Sequence, residues 1–147
     1  MDSVRTSSAS LLLVEENGAV LDSLRDWIQM TFPKVHVIEA KDHSTGIFLS
    51  RSKSPDVVLM DISNLGKSGV EIVRNMKTAH PSAAVYTLVG LDHESYHENV
   101  LKAGADGCAC IWKIRTELLP KLRKNLDATS GRKGQGPQSD ADHPDIL

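Results

Sequence analysis

Three carboxylates stand where a chain could use them. Glu15 and Glu16 follow the apolar run "SLLLV" (10–14), and Asp61 closes a second run, "DVVLM" (56–60). If both runs are neighbouring strands, three acids converge at one sheet edge. Like charges held that close need a proton or a cation to relieve them. Hard oxygen ligands with room for water suit Mg²⁺. A carboxylate beside Mg²⁺ can attack a phosphoryl group, the metal neutralising charge on the equatorial oxygens. Taken singly, each feature has a plainer reading: Glu15 and Glu16 favour the positive end of a following helix, and Asp61 marks a strand end. Together, at the ends of the right strands, they favour a site.

A second pattern, "HESYH" (93–97), matches H-E-x-x-H, in which two His bind Zn²⁺ and the Glu is the base. Its context argues against a metalloprotease, because the segment opens a short helix and no third ligand is evident. The Gly-rich phosphate loop, the dinucleotide fingerprint and the nucleophile elbow are all absent. Those enzyme classes are set aside.

The elements that would position the acids alternate between two periodicities. Continuous apolar or β-rich runs at 10–15, 34–40, 56–61, 83–90 and 107–112 read as strands covered on both faces. Helical patterns at 18–32, 43–52, 69–80, 94–104 and 115–126 follow them in turn. Asn17 is a fitting N-cap, Gly104 a fitting C-terminal stop, and Pro120 interrupts or starts the last helix. Five β–α units in series imply an α/β fold: a doubly wound, five-stranded parallel sheet with helices on both faces. Sites in such sheets lie at the carboxyl ends of the strands.

Bulk properties agree with one domain. The chain has 147 residues, 40% hydrophobic and 24% charged, with a formal net charge of −2, which gives no reason to expect nucleic acid or a membrane surface as partner. Residues 1–9 are small and polar and are expected to be disordered. Residues 10–127 are the structured part, and 128–147 read as a flexible tail or a linker cut short. Cys108 and Cys110, the two cysteines, fall inside one strand and suggest buried thiols of a reducing, cytoplasmic compartment. His36, His43 and His80 read as solvated or partly buried structural residues.

At "LLLVEEN", "PDVVLMDIS", "NLGKSGVEIV" and "AGADG" the chain resembles the receiver domain of bacterial two-component response regulators, over residues 10–127. The resemblance implies a (βα)₅, flavodoxin-like fold, a signalling module rather than an enzyme, and Asp61 as phosphoacceptor. It implies Glu16 as direct Mg²⁺ ligand, Glu15 as its outer partner through water, and the Ser63 carbonyl as a further ligand. A histidine kinase or phosphotransfer protein would be the phosphoryl donor.

The chain departs from that pattern at the places that grip the phosphoryl group. Where the family has Ser or Thr at the end of strand four, this chain has Val89; Thr87 is two residues earlier, roughly 6.6 Å down the strand. The family's Lys falls on Ile111, with Lys113 the nearest cation, and its switch aromatic falls on Cys108. Glu at the second acidic place and Leu65 before the loop glycine are smaller departures. A degenerate receiver is therefore expected, with a phosphorylation-independent adaptor of the same fold as the alternative. If the chain is complete it has no output domain, and output would pass through a partner or a second copy at the face of helix four, strand five and helix five, involving Tyr96, Val100, Ile111, Trp112, Leu118 and Leu122.

Overall fold

The structure, a computed structural model, describes residues 8–90 and 94–135. His93 of the H-E-x-x-H pattern lies outside the described residues, as do 1–7 and 136–147. The elements alternate as expected: β1 (Ser10–Val14), α1 (Gly18–Thr31), β2 (His36–Ala40), α2 (His43–Lys53), β3 (Val57–Asp61), α3 (Lys67–Ala79), β4 (Ala84–Val89), α4 (Glu94–Lys102), β5 (Gly107–Cys110) and α5 (Leu119–Gln135). The strands form one sheet in the order β2-β1-β3-β4-β5, every pairing parallel. Because β1 lies between β2 and β3, the order reverses at β1, and the carboxyl ends of β1 and β3 flank the switch point.

Strand alternation divides the core into two layers. Leu11, Leu13, Val57, Leu59, Leu88 and Ala109 face α1 and α5, meeting Leu21, Leu24, Ile28, Leu118 and Leu122. Leu12, Val14, Val58, Met60, Val85 and Val89 face the other helices, meeting Val73, Met76 and Val100. Residues buried on both faces of a strand give the unbroken apolar runs of β1 and β3. Asn17 caps α1 through a 3.1 Å bond from the Val20 N–H to its side-chain oxygen. Gly104 follows α4 at φ +121°, as the stop signal requires. In "GADG", the Asp106 carboxylate accepts the Val85 N–H at 2.8 Å and pairs with Lys77 Nζ at 2.9 Å, tying the start of β5 to β4 and α3.

The largest departures from the sequence reading lie at strand five and the last helix. Strand five was expected to reach residue 112 but ends at Cys110, where its pairing with Val89 ends and β4 gives way to Gly90. Ile111–Lys113 instead form a 3₁₀ turn, which places Trp112 on the surface, 66% exposed. The last helix is preceded by a π-helical turn, Ile114–Leu118. Pro120 has no N–H for the carbonyl four residues back and crowds it, so a regular helix cannot run through that point. The α5 helix then continues to Gln135, past the boundary expected at 127.

Candidate functional site

Asp61 is the last residue of β3 and stands level with Leu88 of β4, half-buried at the rim of the sheet. Its carboxylate is held from one side by the next turn of chain: the Ser63 N–H donates to Oδ1 at 2.8 Å, and the Ser63 hydroxyl donates to the same oxygen. Ser63 itself rests against the chain just past β4, where a side chain on Gly90 would stand 3.2 Å from the Ser63 carbonyl oxygen.

Glu15 and Glu16 part company after β1. The Glu15 N–H extends the β1–β2 ladder by donating to Ala40 O at 3.0 Å. The residue is 5% exposed, with Oε2 accepting the Asn17 N–H at 3.0 Å. Oε1 is buried with no donor against it. Burial raises the Glu15 pKa most; the neighbouring Asp61 carboxylate and the charge of Glu16 add to it, and the Asn17 N–H works the other way. The result is a carboxyl pushed up to about 8. A buried acid with an unsatisfied oxygen beside a second acid calls for a proton or a cation.

Glu16 enters the turn before α1, its side chain 64% exposed and its carboxylate 4.0 Å from His43 Nδ1. Glu15 is thus the buried member of the acidic pair, and Glu16 stands out toward α2. Among the described residues, no group of three or more His, Cys, Asp or Glu side chains is arranged to hold a metal. Glu15 and Asp61 do fit Mg²⁺ as hard oxygen donors, one of them with an open lone pair, provided water completes the shell.

His43, read from the sequence as solvated or structural, stands beside Asp61. At the start of α2, its Nε2–H donates to the Asp61 carbonyl oxygen at 3.1 Å. Its only signal in the sequence is a place one residue after Asp42, at the same carboxyl edge of the sheet.

The three positions expected to be degenerate, Val89, Cys108 and Ile111, pack with apolar neighbours. Val89 is 1% exposed and packs with Val85 and Cys110 on the α3–α4 side. Thr87 lies level with Met60, a residue short of Asp61, and its hydroxyl is turned to Gly107 O at 3.3 Å. Ile111 packs toward α1, sharing a shallow apolar groove with Val20, Leu24 and Trp27. Cys108 is half-buried opposite Thr87, Cys110 is buried, and neither forms a disulfide. Lys113 is half-buried in the 3₁₀ turn.

A sequence model of the response regulator receiver domain matches residues 11–113. The chain belongs to that family. As a receiver it is 28% identical over 107 residues to the transcriptional regulatory protein DegU of Brevibacillus brevis, covering 72% of this chain and 45% of that protein. It is 29% identical over 100 residues to the nitrate/nitrite response regulator protein NarL of Escherichia coli K12, covering 67% and 46%. This receiver therefore spans less than half the length of these two curated relatives. A solved CheY-like receiver domain from Methanospirillum hungatei JF-1 superposes with a TM-score of 0.70 at 23% identity, covering 83% of this chain and 96% of that one. Receiver domains are signalling modules of two-component systems, and generally bind Mg²⁺ at the site of phosphorylation. No helix among the described residues is long and apolar enough to cross a membrane.

Proposed function

We propose that this receiver takes a phosphoryl group on Asp61, from a histidine kinase or phosphotransfer protein, and passes the signal by protein contact. The observation that carries this reading is the pairing of Asp61, at the carboxyl end of β3, with the buried carboxyl of Glu15. The Asp61 carboxylate is the nucleophile, oriented by the Ser63 N–H and hydroxyl, while His43 holds its backbone in place. Glu15, Asp61 and the Ser63 carbonyl would hold Mg²⁺, with Glu16 reaching it only by leaving His43. When bound, Mg²⁺ supplies charge neutralisation at the phosphoryl oxygens.

Val89 and Ile111 offer no hydroxyl or ammonium to the transferring group. Catalysis of phosphoryl transfer is mostly positioning and electrostatics, so phosphorylation here is slow relative to a receiver that has both. The same two residues support the second reading, an adaptor that binds its partner whatever the state of Asp61. Intact mass after incubation with acetyl phosphate and Mg²⁺ decides: a gain of one phosphoryl group in wild type, absent in Asp61→Asn, is expected. No gain, together with unchanged partner binding in Asp61→Asn, would leave the adaptor reading standing.

A further inference from the structure

A side chain of α4 is bonded to the loop that leaves Asp61. Tyr96, on the first turns of α4, donates its hydroxyl hydrogen to Gly66 O at 2.8 Å. That carbonyl also accepts the Gly69 N–H at 3.0 Å, so it anchors the first turn of α3 as well. Gly66 sits at φ +52° and ψ −127°, a backbone region that side chains disfavour, and α3 begins there with no side-chain cap. The tyrosine reaches this point only because residue 69 is glycine: a Cβ at that position would stand 2.6 Å from the Tyr96 hydroxyl oxygen.

Two further observations give the contact weight. Val100 is the one fully buried residue among the described residues of α4, and Tyr96 is half-buried a turn before it. Tyr96 is half-buried against the α3–α4 core, near Cys108 of β5, and burial holds its phenol above the ordinary range. From Asp61 the path is short and bonded. Ser63 is hydrogen-bonded to the carboxylate, the chain then turns through Ile62–Leu65 and Leu65–Ser68 bonds, and Gly66 O meets Tyr96.

We propose that Tyr96 is the positioning residue of the loop after Asp61, and that its hydroxyl transmits the state of that loop to α4. A phosphoryl group on Asp61 competes for the Ser63 donors, the loop shifts about Gly66, and α4 shifts with the carbonyl it holds. Exposed Leu101 lies on that helix, so the change reaches the surface without any hydroxyl at position 89. The second half of this proposal rests on the reading of Asp61 as acceptor; the tether itself does not.

Hydrogen exchange of the intact chain tests both halves. In the resting protein, Tyr96→Phe keeps the ring and removes the bond. Exchange should rise together in 64–69 and in Glu94–Lys102, by roughly fivefold, as expected for one lost hydrogen bond. A rise in neither segment, or in α4 alone, overturns the tether. With acetyl phosphate and Mg²⁺, wild type should change its α4 exchange, whereas Tyr96→Phe should gain the same mass and leave α4 at its resting level. An equal α4 change in both proteins overturns the transmission. If wild type gains no mass, the acceptor reading and the transmission fall together, and the resting comparison alone decides the tether.

Discussion

Glu15 is the residue whose chemistry most exposes the site to measurement. Its carboxyl holds a proton to about pH 8 when folded, against 4.5 for an unperturbed glutamate. Between those values the unfolded chain has released its proton and the folded chain has not. Unfolding therefore releases protons there, and stability falls as pH rises from about 4.5 to about 8. Glu15→Gln, which keeps shape and removes the charge, should flatten this part of the profile and be the more stable protein at pH 8. Urea unfolding at several pH values reads the effect, and parallel profiles for the two proteins would refute it. Glu15 is also the oxygen donor whose loss should most weaken any cation at Asp61.

At the scale of elements, the start of β5 is tied to its neighbours through Asp106. Its carboxylate accepts a β4 amide and pairs with Lys77 of α3. Asp106→Ala leaves the part-buried Val85 N–H without that acceptor and should cost about 1–3 kcal/mol, measured by urea unfolding. A change under ~0.5 kcal/mol would mean that water replaces the carboxylate. The expected partner face also changes at this scale. Val100, Leu118 and Leu122 are core residues at 1% exposure or less, because their side chains face the sheet and not the solvent. What α4 and the turn after β5 present outward is Leu101 and Trp112. Trp112→Ala should leave the melting temperature nearly unchanged, within ~0.5 kcal/mol as for exposed substitutions. It should weaken partner or self-association at this face in a pull-down or sedimentation experiment; a large fall in melting temperature would show Trp112 to be structural.

For the whole molecule, a cation binding only the folded state must raise its stability. At ten times its dissociation constant Mg²⁺ adds about 1.4 kcal/mol by mass action. Thermal unfolding should therefore shift upward by a few degrees on adding Mg²⁺, and return on chelation. In Glu15→Gln and in Asp61→Asn the shift should shrink or vanish. An equal shift in all three proteins would place the cation elsewhere. The effect should grow with pH through the interval in which Glu15 titrates, because cation and proton compete for the same oxygens.

The order of elements, the parallel sheet and the acids at its carboxyl edge could be read directly from the chain. Each depends on local signals: unbroken apolar runs, helical periodicity, and turn residues at fixed offsets. The apolar character of Val89, Cys108 and Ile111 was equally legible, since residue type and count from "GADG" suffice. Tertiary structure decided which acid turns inward. The Glu15 N–H bonds to Ala40 O and its side chain is buried, and no spacing rule encodes a long-range bond of this kind. It decided the end of β5 as well, because a strand stops where its partner stops. His43 and Tyr96 joined the region of Asp61 through chain reversals of 18 and 30 residues. Contacts at such separations depend on how helices are laid on the sheet, and that geometry exists only once the core has packed.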